Sequence, residues 1–312
     1  MKIAVSILLF FATTLLAAVH YIRTAATNEN NFQVEVTTTT SPQNFICSFV
    51  SPSTLHVEWG DVTTNDFTSS ITNTHSYAAA GVYTIKMSGH VHAIDFYQYP
   101  GLGTPLLITA IKTPIWGING MTTAVEMFKG CHNLTYFPAN LFDYCPDITS
   151  FYDTFLECIN VTSYSTHLFG HQANITSFYA VFDQNEKLTN IESTVFSGRI
   201  NVTVASWAFA KCYDLKSIPS GLYDSFTKNT SFEYVHYRNY DVTNLPPMLF
   251  NTCTNVTTYA YGFYQCTNLL GHTPTNAAGL KLWELTPEPT GTSCFYQCTN
   301  LSDYGDIPAD WK

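Results

Sequence analysis

Between residues 128 and 164 the chain reads FKGCHNLTYFPANLFDYCPDITSFYDTFLECINVTSY, and within it Phe128, Cys131 and Leu134 return as Phe155, Cys158 and Val161. The step is 27 residues, and it continues. Phe128 leads in register to Phe155, Phe182, Phe209, His236 and Phe263, and Leu134 leads to Val161, Leu188, Leu215, Val242 and Leu269. A third column holds Leu141, Leu168, Val195, Leu222 and Leu249, each followed by Phe or Tyr. A fourth holds Ile148, Ile175, Val202, Asn229 and Val256, and no insertion breaks the register from 121 to about 270. Tandem units of this length cannot bury their apolar faces alone and must stack on one another.

Within a unit, NLTYFP or DLKSIP reads as a short strand closed by proline, which has no N–H for a ladder. In ITSFYDTF, Ile148, Phe151 and Phe155 fall at i, i+3 and i+7, the spacing of one helical face. Strand plus helical turn per unit predicts an α+β repeat protein, a leucine-rich-repeat solenoid with 27-residue repeats. Cys131, Cys158, Cys212 and Cys266 occupy one column, and Cys145 and Cys253 another. Cysteines held in register beside aromatics read as small buried core residues. Nine cysteines also admit a disulfide framework, with at least one left unpaired in a monomer.

The run MFKGCHNLTYFPANLFDYCPDITSFYDTFLEC resembles the BspA-type leucine-rich repeats of bacterial and protist surface proteins, over roughly 116–312. Residues 106–120, LLITAIKTPIWGING, are expected to cap the array, so that the solenoid spans 106–312. Asn185 and Asn239 stand in the cysteine column and His236 in the phenylalanine column. His236 is expected to be a core residue that finds a hydrogen-bond partner. An insertion at about 270–292 breaks the register before Phe295 and Cys298 and is the loop expected to carry something specific.

Ahead of the array, FQVEVTTTT, TLHVEWGD and HSYAAAGVYTIKMSGHV alternate in the manner of strands, with Gly60-Asp61 and Gly81 marking turns. VEWGD followed by THSYAAAGVYTIKMSG resembles a polycystic-kidney-disease (PKD) domain, which implies a small β-sandwich over 27–105 acting as spacer or binding module. Val62 departs from that pattern, standing where a second turn glycine would fall.

Residues 1–26 place one lysine before a long apolar run, with Thr24-Ala25-Ala26 as a candidate cleavage site. The segment reads either as a cleaved signal or as a retained hydrophobic helix, since its length approaches that of a membrane span. On either reading the chain is expected to be exported, extracellular or at the cell surface.

With a net charge of −10, only 13 Lys+Arg and no basic cluster, the chain lacks the cations a nucleic-acid partner would require. No G-x-S-x-G, H-E-x-x-H or P-loop occurs, and no catalytic residue, cofactor site or metal site is assigned. His90 and His92 share a strand face, as half a zinc site would, but no third ligand is near in sequence. Asp61 is read as a turn cap, with calcium ligation as the alternative. Asn133, Asn160, Asn174, Asn201, Asn229, Asn255 and Asn300 each begin N-x-[ST]. They are either glycosylation acceptors or the turn residues of the repeat, followed by a threonine ladder.

These readings predict a non-enzymatic binding or adhesion protein that contacts a protein or glycan of host or neighbouring cells. The alternative is a structural subunit of an extracellular filament, self-assembling through residues 3–19 in the manner of a pilin. The N-terminus lacks the prepilin cleavage context and the early acidic residue of that class.

Overall fold

The computed structural model describes residues 30–97 and 104–312. The first unit is built from β1 (Phe32–Thr38), β2 (Gln43–Val50), β3 (Leu55–Glu58), β4 (Thr64–Phe67), β5 (Ile71–Tyr77), β6 (Gly81–His90) and β7 (Ala93–Asp95). A four-residue helix, α1 (Thr104–Leu107), leads into β8 (Ile108–Ile111) and β9 (Ile118–Asn119). One sheet runs β4-β3-β6-β1-β8 with antiparallel neighbours, and β9 joins β6 in parallel. The other runs β5-β2-β7, also antiparallel.

Period-two alternation decides which residues face inward. Phe32, Val34 and Val36 of β1, Phe45, Cys47 and Phe49 of β2 and Leu55 and Val57 of β3 are all buried. The two sheets meet through Phe45 against Trp59 at 6.5 Å and Phe49 against Phe67 at 5.0 Å. Gly60 must be glycine: its φ is +86°, and a Cβ would stand 2.7 Å from the Thr84 carbonyl oxygen. Val62, where a second glycine was expected, holds φ 70° and is fully exposed. The expected division at 105/106 falls just before β8 and β9, which hydrogen-bond back to β1 and β6.

From 121 onward the chain is laid down as successive tiers of turns. Isolated parallel bridges link Thr123 to Ser150, Ser150 to Ser177 and Ser177 to Val204. In the second of these steps, the N–H groups of Phe151, Asp153, Phe155 and Glu157 donate to the carbonyls of Ser177, Tyr179, Val181 and Asp183. Thr154, Leu156 and Cys158 donate instead to the carbonyls of Phe151, Asp153 and Phe155, three residues back.

This overturns the expected α+β leucine-rich-repeat solenoid. Among the described residues the chain has two antiparallel sheets, one four-residue α-helix and three 3-10 turns (Leu282–Glu284, Tyr304–Asp306, Ala309–Trp311), and no repeat contains an α-helix. An α-helix needs each N–H to reach the carbonyl four residues back. Here every second N–H between Phe151 and Glu157 is taken by the next tier, so the i, i+3, i+7 spacing of Ile148, Phe151 and Phe155 marks burial in a run of turns.

The apolar columns line the interior. Phe128, Phe155, Phe182 and Phe209 stack in sequence at 5.8, 5.7 and 5.3 Å. His236 extends the column between Phe209 and Phe263, 5.6 Å from each. All nine cysteines are buried and unpaired. The insertion packs on its own neighbours: Lys281 Nζ donates to Asp303 at 2.5 Å, and Trp283 meets Trp311 at 5.7 Å.

The expected N-terminal hydrophobic helix, whether signal, anchor or filament core through residues 3–19, falls outside the described residues. Among the described residues no helix is long and apolar enough to cross a membrane. The assignment to the cell surface or exterior, which rested on residues 1–26, is corrected accordingly.

Candidate binding face

Two columns of the tiers carry left-handed backbone on residues other than glycine. One runs Glu126, Asp153, Ala180, Trp207, Tyr234, Tyr261 and Ser293, with φ between 47 and 62°. The other runs Glu157, Gln184, Lys211, Arg238, Gln265 and Gln297, with φ between 53 and 62°. Residues of the first column bond the next tier and their own turn at once. Trp207 donates its N–H to Glu233 O in the next tier at 2.9 Å, while its carbonyl accepts from Ala210 N at 3.1 Å to close a turn. Tyr234 does the same with Ala260 and Tyr237, and Tyr261 with Thr292 and Tyr264.

Three aromatics occupy these strained positions and stack on each other. Trp207 and Tyr234 lie 4.0 Å apart with planes 12° from parallel, and Tyr234 and Tyr261 lie 4.7 Å apart at 13°. Beside them Tyr237, Tyr264 and Tyr296 stack at 5.1 and 4.7 Å. Tyr152 and Tyr179 form a third pair at 4.6 Å. Cations lie against this face: the Lys211 ammonium is 5.7 Å from the Trp207 ring centroid and the Arg238 guanidinium 4.9 Å from that of Tyr237.

Two carboxylates are buried in the tiers preceding that of Trp207. Asp153 and Asp183 are each 6% exposed, and the Oδ1 atom of each has no hydrogen-bond partner. Burial pushes Asp183 up to about 7, against the opposing pull of Lys211 and of hydrogen bonding with Gln184. Burial also raises Asp153, although Lys129 Nζ donates to its Oδ2 at 3.1 Å.

The residues singled out from sequence fall elsewhere. His90 and His92 have ring centroids 6.0 Å apart, and among the described residues no group of three or more His, Cys, Asp or Glu could hold a metal ion. Asp61 caps its turn, accepting from Thr63 N at 3.2 Å, and its Oδ2 lies 2.8 Å from His75 Nε2. His236 lies 2.9 Å from the Tyr223 hydroxyl and 3.1 Å from Asn239 Nδ2, and burial lowers it to about 3.

Most sequon carboxamides bond the preceding tier. Asn133 donates to Leu106 O, Asn160 to His132 O, Asn201 to Ala173 O, Asn255 to Thr227 O and Asn300 to Thr267 O, at 2.5 to 3.5 Å. Asn229 is buried and donates to Ser231 O at 2.9 Å, while Asn174 is exposed. The sequon threonines Thr176, Thr203 and Thr257 donate to the carbonyl of the threonine one repeat earlier, at 3.1 to 3.2 Å.

The aromatic face itself was not among the assigned residues. Its signal was present in the recurrence of Tyr234 as Tyr261 and of Tyr237 as Tyr264, one repeat apart. Fold and face together define a two-sheet β unit followed by a tiered repeat that carries stacked aromatics on its outside. No protein-family model matches the chain, and no curated protein matches it.

Proposed function

We propose that this chain is a non-enzymatic recognition protein that contacts a protein or glycan through the aromatic face. The reading is carried by the stacked rings of Trp207, Tyr234 and Tyr261 at successive tiers. A left-handed conformation costs a residue with a Cβ about 1–2 kcal/mol, and glycine or asparagine would relieve it. Every tier carries this strained position, filled elsewhere by Glu126, Asp153, Ala180 and Ser293, and what sets this face apart is that three successive tiers fill it with large stacked rings. Aromatic side chains with arginine nearby also dominate the energetics of contact surfaces. The motif resemblances to BspA-type and PKD proteins point the same way, since contact and spacing are the roles they imply.

The test is binding of the full chain to arrays of purified glycans and purified proteins, beside a Tyr234→Ser/Tyr264→Ser variant. A bound ligand lost in the variant, with a cooperative melting transition retained, is the expected result. Binding that survives both substitutions would place recognition elsewhere.

A further inference from the structure

The second left-handed column carries its charges in order. Glu157 comes first, Gln184 one tier later, then Lys211 and Arg238 in the next two tiers. All four side chains are partly exposed. Among the described residues no ion pair involves Lys211 or Arg238. Lys211 lies over the Trp207 ring, and Arg238 lies over the Tyr237 ring and donates to Gln265 at 2.8 Å. Glu157 stands 3.8 Å from the His132 ring, with its side chain 38% exposed. One tier before it, Glu126 is also partly exposed.

Cations laid on aromatic rings with no carboxylate of their own are the composition of a protein contact surface. The partner that fits must bring acids to Lys211 and Arg238 without setting acids against Glu157 and Glu126. A uniformly acidic partner fails the second condition, and a neutral one leaves the cations unanswered. A second copy of this chain meets both. A two-fold axis in the contact plane, running across the columns, sets each column against itself with the order of tiers reversed. Centred on Gln184, it brings Lys211, one tier after, opposite Glu157, one tier before. Arg238, two tiers after, then faces the tier of Glu126. A parallel arrangement would instead set Glu157 on Glu157 and Lys211 on Lys211, like charges that oppose association.

We infer that the aromatic face is a homodimer interface, on which two copies of this chain pack antiparallel about Gln184 with Lys211 of each against Glu157 of the other. This rests on the recognition reading above and makes its protein partner a second copy. Exposed ion pairs contribute little apiece, so the rings of Trp207, Tyr234 and Tyr237 supply the affinity and the charges fix the orientation.

The experiment is sedimentation equilibrium of the full chain over a range of concentrations, beside Glu157→Lys, Lys211→Glu, the double reversal and Tyr234→Ser/Tyr237→Ser. Positions 157 and 211 are already left-handed with a Cβ, so the reversals leave the backbone demand unchanged, and melting curves check each fold. The starting chain should dimerise. Each single reversal puts two like-charge contacts into every dimer and should weaken it by about tenfold or more. The double reversal should restore it, and the two single variants, each monomeric alone, should associate when mixed. The tyrosine variant should be monomeric. A monomer at every concentration overturns the inference, as does a double reversal no better than the singles or a dimer indifferent to the tyrosine changes. If the chain stays monomeric but an arrayed glycan or protein is still bound through Tyr234 and Tyr264, the homodimer falls and the broader reading stands. If neither occurs, both fall.

Discussion

Tyr234 lies flat on Trp207, ring centroids 4.0 Å apart, and both residues hold left-handed backbone with φ of 55 and 62°. Stacking and strain therefore act on the same pair in opposite directions. Tyr234→Gly removes about 1–2 kcal/mol of backbone strain and loses ring contacts of similar size. Its melting temperature should stay close to that of the starting protein while ligand binding is lost. A large destabilisation would mean that the aromatics are there for the fold, and the functional reading of the rings would fail.

The cysteine column selects a small buried donor. Cys158 Sγ donates to Phe128 O at 3.3 Å, Cys212 Sγ to Phe182 O at 3.3 Å and Cys266 Sγ to His236 O at 3.0 Å. Asn185 Nδ2 makes the equivalent bond to Phe155 O at 2.8 Å, and its Oδ1 accepts from the Tyr164 hydroxyl at 2.7 Å. Asn185→Val leaves a buried carbonyl and a hydroxyl without partners, at about 1–3 kcal/mol each. Asn185→Cys restores one donor and should cost clearly less. Equal loss in the two variants, measured by urea unfolding, would reject the donor account.

Burial pushes the thiols of Cys131, Cys158, Cys212 and Cys266 well above their ordinary range, so little thiolate forms. Native protein should therefore react slowly with a thiol reagent at pH 8, at rates set by opening of the tiers. All nine cysteines should label once the chain is denatured without reductant. Fewer than nine would reveal disulfides.

Asp95 and Asp183 are both raised by burial to about 7 from 3.8, so the native state holds protons that the unfolded chain releases. Their contribution to stability is complete below about pH 3.8 and is lost as pH rises through about 7. His236, lowered by burial to about 3 from 6.5, acts the other way: its contribution is present above pH 6.5 and is lost as pH falls toward 3. The two effects oppose each other between pH 3.8 and 6.5, and only the carboxyls titrate above it. Melting temperature should fall between pH 6.5 and about 8, less steeply in Asp183→Asn. An unchanged slope in that variant would show that Asp183 is not held neutral in the native state.

The 27-residue register was sufficient to say which residues face inward. Phe155, Phe182, Phe209, Leu188 and Cys212 are buried, because side chains one repeat apart stack wherever tandem units pack. The same register also carries the spacing of Tyr234 and Tyr261. It leaves open where each N–H points. Ile148, Phe151 and Phe155 have helical spacing, yet the carbonyls of Ser177 and Val181 take the N–H groups of Phe151 and Phe155, and the segment closes as turns. Those acceptors lie 26 residues away in sequence and become neighbours only when the tiers stack. The left-handed backbone of Trp207, Tyr234 and Tyr261 also belongs to the tiers, since it recurs at the same position from Glu126 to Ser293. Side-chain periodicity is a property of the chain, whereas the competition between local and inter-tier hydrogen bonds exists only in the packed molecule, and that competition decided the backbone and the face it carries.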